Sequence, residues 1–254
     1  IGLLPDVISD IKSHYQLADI HHKTLVTFGI PESTLAKQIE PWEDALPEDI
    51  KLAYLPNPIV GVRLRLSTYG GVKDEEIRRI DTEFEKLRKM LGDAIYGEGE
   101  DTLQIVIGKH LKNKGMTLSA AESCTGGKIA SLLTSVAGAS QYFYGSVTSY
   151  DNSIKENILG VPHEIIAQHG AVSRECVEAM AKGVNRIMNT DFAVATSGIA
   201  GPGGGTPEKP VGTAWLAVAF RDKETGKVDV VSKKVAFNSS REVNIDRFAS
   251  NALN

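Results

Sequence analysis

Two apolar segments that each run directly into a glycine-rich turn constrain this chain most. Residues 117–121 are followed by the segment ESCTGG, and residues 192–197 are followed by SGIAGPGGG. Helical periodicity recurs between such segments, as at 173–188. Strands that alternate with helices predict a sheet with helices on both faces. We therefore expect an α/β fold, with a three-layer α/β/α domain at residues 102–254.

A different pattern precedes this domain. The predicted elements are strands at 24–30, 50–55 and 62–69, a short helix capped by Ser33 that runs to Ile39, and a long helix from Asp74. They predict a small α+β domain at residues 20–92, with residues 1–19 as a linker. The segment 93–101 is rich in glycine and acidic residues, which predicts a domain boundary.

Composition excludes several classes of protein. Lys and Arg together number 28 against 32 for Asp and Glu, so bulk charge does not favour nucleic-acid binding. No apolar stretch approaches the roughly 20 residues that span a bilayer. Two cysteines are too few for a disulfide framework, which favours the cytoplasm. Because the chain begins with Ile1, we expect it to be a fragment of a longer protein.

Ser123 lies where the first apolar strand turns into a helix. Free backbone N–H groups at such a turn favour negative charge, so Ser123 is a candidate nucleophile. The alternative is that Ser123 only caps the helix. Cys124 is a second candidate, since a helix N-terminus lowers the pKa of a thiol, although a buried, inert Cys124 is the other interpretation.

Two further segments carry candidate chemistry. The loop 195–205 offers unblocked N–H groups that suit a phosphate or an oxyanion, and its alternative is a flexible connector. Lys155 falls in the first turn of a predicted helix, where the helix dipole lowers the pKa of its amine. A neutral lysine beside a serine activates the hydroxyl, whereas a surface lysine does nothing of the kind.

Four segments together carry a family resemblance. AAESCTGGKIAS, GSVTSYDNSIKENILGV, AQHGAVS and SGIAGPGGGTPEKPVGTAW resemble, in order and spacing, the carboxyl-terminal domain of the CinA family of competence/damage-inducible proteins. That family is similar to bacterial nicotinamide mononucleotide deamidases. The resemblance covers about residues 102–254, and residues 20–92 more faintly resemble the family's KH-like region. It implies hydrolysis of the nicotinamide mononucleotide carboxamide to nicotinic acid mononucleotide and ammonia, in pyridine nucleotide salvage, without a metal or cofactor.

The resemblance also assigns residues. It implies that Ser123 is the nucleophile, Lys155 the base and Tyr150 a partner that orients or relays the proton. Arg241 resembles a family arginine that suits phosphate, with an exposed surface arginine as the alternative. The other implied substrate-binding residues are Glu122, Cys124, Thr125, Gly126, Gly127, Ser197, Gly198, Ile199, Ala200 and Gly201. Gln168, His169 and Gly170 match the family without an assigned role.

The expected partners follow from the same resemblance. They are a small-molecule pyridine nucleotide and a second copy of the chain in a homodimer, with no membrane. Residues 20–92 lack the GXXG loop with which KH domains clamp a nucleic acid, so nucleic-acid binding is not expected. Full-length relatives carry a further amino-terminal domain, which we expect in the whole protein. The alternative function is a module that binds a pyridine nucleotide without catalysis.

Overall fold

The computed structural model describes residues 3–15 and 18–254. The chain forms two compact units, one of residues 1–57 and 61–100 and the other of residues 58–60 and 101–254. Among the described residues, no helix combines the length and the apolar composition that crossing a bilayer requires.

The amino-terminal unit is an α+β fold. Its elements are α1 (Leu3–His14), β1 (Ile20–Thr27), α2 (Glu32–Glu43), β2 (Lys51–Asn57), β3 (Gly61–Tyr69), α3 (Lys73–Leu91) and β4 (Ile95–Glu98). The strands form an antiparallel sheet in the order β2-β3-β1-β4. Alternate residues of β3 are buried, and they pack with Ile80, Phe84 and Leu87 of α3. Period-2 burial on the strand and helical spacing on α3 therefore build one core.

Three features of this unit differ from the sequence-based predictions. Helix α1 lies in the predicted linker, and every residue of it is exposed. Strand β4 lies in the segment predicted to be a boundary, where Gly97 pairs with Val26 of β1. Helix α2 begins at Glu32 with Pro31 at its N-cap, so Ser33 is not the cap. Local composition did not reveal β4, because a four-residue strand is stabilised by a partner distant in sequence.

The carboxyl-terminal unit is the predicted three-layer α/β/α fold. Its elements are α4 (Leu103–Lys114), β5 (Leu118–Glu122), α5 (Lys128–Thr134), β6 (Phe143–Thr148), α6 (Asn152–Asn157), α7 (His163–His169), α8 (Arg174–Met188), β7 (Phe192–Gly198), β8 (Thr213–Arg221), β9 (Val228–Ala236) and α9 (Arg241–Leu253). The sheet order is β6-β5-β7-β8-β9. Strands β6, β5 and β7 are parallel, and β8 and β9 are antiparallel to their neighbours.

Two apolar clusters cover the two faces of this sheet. One contains Leu111 of α4, Ile129 of α5 and Phe248 of α9. The other packs Val177 and Met180 of α8 against alanines of the sheet, which are Ala121, Ala193, Ala195, Ala217 and Ala219. Small side chains on that face let α8 approach the sheet closely. Because β5, β6 and β7 are parallel, their carboxyl ends share one edge, where ligands bind in open α/β sheets.

The helix that follows the first glycine-rich turn begins two residues later than the sequence predicts. We predicted a helix from Gly126, but α5 begins at Lys128. Gly126 and Gly127 have φ angles of +58° and +100°, which lie in the region that favours glycine. The two glycines are therefore part of the turn and not of the helix. Helix α7 was not predicted.

Candidate active site

A cavity of about 260 Å³ opens at the shared carboxyl edge of β5, β6 and β7. The predicted site residues that line it are Ser123, Cys124, Tyr150, Lys155, Ser197, Gly198, Ile199, Ala200, Gly201 and Arg241. Gly203 and Gly204, which belong to the predicted loop 195–205, also line it, and the lining residues that we did not predict are Asn152, Ala171 and Val172. Ala171 and Val172 directly follow the segment Gln168–Gly170, whose family match could have pointed to them.

Ser123 is held in the turn after β5 by its backbone. Its N–H donates to the Thr196 carbonyl at 3.0 Å, and its carbonyl accepts from the Gly126 N–H at 3.1 Å. Its side chain makes no hydrogen bond to the described part of the chain and lines the cavity. The N-cap position of α5 belongs to Gly127, so Ser123 does not serve as the helix cap. The hydroxyl is therefore left available to a ligand.

Glu122 performs the capping instead. Its fully buried carboxylate accepts hydrogen bonds from the N–H groups of Gly127, Ile129 and Ala130 at 3.1, 3.0 and 2.9 Å. A negative charge at this end of α5 also interacts favourably with the helix dipole. We predicted that Glu122 binds substrate, but the structure directs its carboxylate into the helix.

Three more predicted residues lie outside the cavity lining. The Thr125 hydroxyl is buried and lies 2.7 Å from the Thr196 hydroxyl, which ties the turn to β7. Gly126 and Gly127 provide the positive φ angles of the turn. Thr125, Gly126 and Gly127 thus shape the turn that presents Ser123, and the structure does not bring them to the ligand cavity.

Lys155 is buried, with 1% of its surface exposed. Its Nζ donates to the carbonyls of Ser149 and Tyr150 at 2.8 and 3.2 Å. Among the described residues, no carboxylate lies within ion-pair distance of this amine. Burial lowers the pKa of Lys155, and its neighbours Cys176 and Asp151 only partly oppose this effect.

The cause of this lowered pKa differs from the prediction. We attributed it to the positive end of the α6 dipole, but Asp151 caps that end by accepting from the Ser153 N–H at 2.8 Å. Desolvation is the main cause. The interpretation of Lys155 as a surface lysine is wrong. Deprotonated lysine has two N–H donors and one lone pair, so the two carbonyl contacts leave the lone pair free.

Cys124 is not a reactive thiolate. Burial raises the pKa of its thiol to about 12, although the contact with Thr196 acts in the opposite direction. The expected lowering of this pKa by the helix N-terminus is therefore wrong, because the side chain packs into the apolar cluster below the sheet edge. Burial likewise raises the pKa of Cys176 to about 11. Both cysteines are free and buried.

Arg241 and Tyr150 meet at the rim of the cavity. Arg241 donates from Nη1 to the Gly201 carbonyl at 2.7 Å and from Nη2 to the Tyr150 hydroxyl at 3.1 Å. Within the described residues, Arg241 has no carboxylate partner, so its other N–H donors and its full charge are available to an anion. Tyr150 is exposed, and its hydroxyl contacts Arg241 instead of the predicted Ser123 and Lys155.

The segment just before α8 forms part of the cavity wall through Ala171 and Val172. Ser197, fully buried, donates from its hydroxyl to the Ala171 carbonyl at 2.7 Å. Lys209 donates from Nζ to the His169 carbonyl at 2.7 Å. These two bonds hold Ala171 and Val172 against the cavity, while the His169 side chain is not part of the lining. The AQHGAVS segment is thereby assigned to a cavity wall.

Glycine is required at position 198, where β7 ends and the second glycine-rich loop begins. A Cβ atom on Gly198 would lie 2.5 Å from the Ala214 Cβ and 2.7 Å from the Thr213 carbonyl. Any side chain there would push β7 and β8 apart.

In the described residues, no group of three or more His, Cys, Asp or Glu side chains is arranged to hold a metal ion.

Two family models match the chain. One, described as the CinA C-terminal domain, matches residues 100–254, and the other, described as the damage-inducible protein CinA KH domain, matches residues 22–97. The chain belongs to the CinA family. The CinA-like proteins of Flavobacterium psychrophilum and Cytophaga hutchinsonii are 45% and 43% identical to it, over 98% and 100% of its length. The matched regions span only 58% and 59% of those curated relatives.

Solved CinA-family structures show the same fold. The competence damage-inducible protein A of Klebsiella pneumoniae matches with a TM-score of 0.55 at 34% identity, over 59% of this chain and 90% of that one. The competence/damage inducible protein CihA of Agrobacterium tumefaciens matches with a TM-score of 0.55 at 38% identity, over 59% and 89%.

Proposed function

We propose that the carboxyl-terminal unit of this CinA-family chain hydrolyses the carboxamide of nicotinamide mononucleotide, with Ser123 as the nucleophile and Lys155 as its base. One observation carries the proposal: a buried lysine without an acidic partner lines the same cavity as a serine whose hydroxyl is free. Structural lysines are rarely fully buried unless paired. A buried, unpaired lysine with a lowered pKa is instead typical of a catalytic base.

The proposed chemistry passes through an acyl-enzyme. The free lone pair of Lys155 accepts the Ser123 proton as Oγ attacks the carboxamide carbon, and the carbonyl oxygen becomes an oxyanion. Lys155 returns the proton to the amide nitrogen, the C–N bond breaks, and ammonia leaves. Water then attacks the ester, again with Lys155 as base, to release nicotinic acid mononucleotide and Ser123. Two easier steps replace one difficult hydrolysis.

Backbone N–H groups would stabilise the oxyanion. Candidate donors are the N–H of Cys124 in the turn and the N–H groups of Ala200 and Gly201 in the loop, because all three residues line the cavity. A single donor of this kind contributes about 3–4 kcal/mol to transition-state binding. Because these donors belong to the backbone, their direction depends on what holds each peptide plane.

Arg241 is the proposed phosphate ligand. Its guanidinium lies at the rim, without a carboxylate partner in the described chain, and suits bidentate contact with phosphate. The pyridine ring would then lie against apolar wall residues such as Val172 and Ile199. Ligand pockets usually enclose about 300–1,000 Å³. At about 260 Å³ this cavity is slightly smaller than that range, which favours a mononucleotide over a dinucleotide.

An ammonia-release assay with nicotinamide mononucleotide tests the proposal. We expect release by the wild-type chain, none by Ser123→Ala or Lys155→Ala, and near wild-type rates for the matched control Cys124→Ala. Circular dichroism checks that each variant folds. Undiminished ammonia release by folded Ser123→Ala would refute the assignment of the nucleophile. If calorimetry detects binding of the nucleotide and the wild-type chain releases no ammonia, the unit is a binding module.

We also propose that the chain acts in the cytoplasm, in pyridine nucleotide salvage, and as a homodimer that does not bind nucleic acid. The two free, buried thiols support the location. The homodimer rests on the family resemblance alone, and light scattering at several protein concentrations tests it.

A further inference from the structure

Asn244 is a buried polar residue that no step described above uses. It lies on α9, one turn after Arg241, and none of its surface is exposed. Its Nδ2 donates to the Ala200 carbonyl at 3.1 Å and to the Ser239 carbonyl at 3.0 Å. Its Oδ1 is buried without a partner among the described residues. The amide is therefore used entirely as a donor, and both N–H groups are committed to carbonyls.

Two hydrogen bonds, one from Gly212 and one from Asn244, set the orientation of two peptides beside the cavity. The Ile199 carbonyl accepts from the Gly212 N–H at 2.7 Å, and the Ala200 carbonyl accepts from Asn244. In a trans peptide the N–H points opposite to the carbonyl. The N–H of Ala200 is therefore turned away from Gly212, and the N–H of Gly201 is turned away from α9.

Neither of these N–H groups has an acceptor in the described part of the chain, although Ala200 and Gly201 are both buried. Both residues line the cavity. Buried backbone N–H groups in native proteins are almost always paired. Two adjacent unpaired N–H groups at a cavity wall are suited to a ligand that carries negative charge.

We propose that Asn244 is a positioning residue: by holding the Ala200 carbonyl it fixes the Gly201 N–H, beside the Ala200 N–H that the Gly212 bond orients, as a donor to the anionic part of the ligand. The proposal rests on the proposed function and names a determinant of its site. Asn244 also holds the Ser239 carbonyl, two residues before Arg241. The same side chain thus holds the peptide of the Gly201 donor and the start of the helix that carries the arginine.

Kinetics of Asn244→Ala and Asn244→Ser test the proposal, with Asn185→Ala as the matched control. Asn185 is also a fully buried helical asparagine, and its Nδ2 donates to the Thr190 carbonyl at 2.7 Å, away from the cavity lining. We expect Asn244→Ala to lose roughly 10²-fold in kcat/KM, the loss that a displacement of about 1 Å can cause. Asn185→Ala, at equal folded fraction, should retain wild-type kinetics.

Whether the loss appears in kcat or in KM identifies the anionic group that accepts from these N–H donors. A fall in kcat at constant KM assigns the donors to the oxyanion. A rise in KM for nicotinamide mononucleotide that is absent with nicotinamide riboside assigns them to the phosphate. Either result supports the proposal. Wild-type kcat and KM in folded Asn244→Ala, or an equal loss in Asn185→Ala, would overturn it.

A binding measurement separates this proposal from the proposed function. Calorimetry with nicotinic acid mononucleotide requires no turnover, so it remains informative if the wild-type chain releases no ammonia. We expect the Kd of Asn244→Ala to rise at least about tenfold, since a hydrogen bond to a charged group is misdirected. An unchanged Kd would count against the proposal. If neither Asn244 variant folds while Asn185→Ala does, the role of Asn244 is structural and the proposal fails.

Discussion

Replacement of Lys155 by Met gives a pH-dependent change in stability that can be worked out from the structure. Burial lowers the pKa of Lys155 below its usual 10.5 in the folded chain. Unfolding returns the amine to water, where it binds a proton at any pH between the lowered and the usual value. Since the unfolded state then holds one more proton, the free energy of unfolding of the wild-type chain rises with pH across that window.

The uptake of one proton on unfolding sets the size of this pH dependence. One proton corresponds to about 1.4 kcal/mol per pH unit at 25 °C. Lys155→Met cannot take up this proton, so the free energy of unfolding of the wild type minus that of the variant should rise by about that amount per pH unit within the window. The lost bonds to the Ser149 and Tyr150 carbonyls add a pH-independent cost of about 1–3 kcal/mol.

Urea unfolding monitored by circular dichroism at several pH values measures this difference. All other titrating groups are shared by the two proteins, so their contributions cancel to first order in the comparison. A constant difference from neutral to alkaline pH would refute the conclusion that burial lowers the pKa of Lys155. The same logic predicts that kcat/KM rises as pH increases through the lowered pKa of Lys155 and that Lys155→Arg, which retains a charge, is inactive.

Three further substitutions test separate parts of the site. Glu122→Ala removes the acceptor of three α5 N–H groups and should lower the free energy of unfolding by about 2 kcal/mol, measured in urea; an unchanged value would contradict its role as a cap. Arg241→Ala should raise KM for nicotinamide mononucleotide roughly 10–100-fold, since a charged hydrogen bond contributes about 1.5–3 kcal/mol, and should leave KM for the riboside nearly unchanged; equal effects on both would refute a phosphate contact. Gly198→Ala forces a Cβ against Ala214 and should cost about 1–3 kcal/mol, seen as a lower urea midpoint, with exposed Gly203→Ala, whose Cβ would meet no atom within 4 Å, as the control without a clash.

Neighbouring residues of the first glycine-rich turn have different roles, although they form one sequence motif. Residues 122–127 form one contiguous motif, and we assigned most of it to the ligand. In the structure only Ser123 and Cys124 line the cavity, and Cys124 stays protonated. The remaining residues of the motif cap the helix, tie the turn to β7 or provide the turn's backbone angles.

Local periodicity determined much of the fold. The predicted helical pattern at 173–188 and the predicted strand at 62–69 agree with α8 and β3, because each carries a regular apolar pattern that only one type of element satisfies. The alternation of such elements also identified the layered α/β class. The order and spacing of four segments identified the family, which the matching models confirm.

Tertiary structure alone decided which side chains are buried and what they contact. Lys155 follows an exposed tyrosine in the sequence, and only the packed fold shows it desolvated against two carbonyls. Asn244 meets Ala200 across 44 residues, and Ser197 meets Ala171 across 26. Sequence patterns report the period of the nearby chain, whereas burial and hydrogen-bond partners depend on segments that folding brings together from a distance.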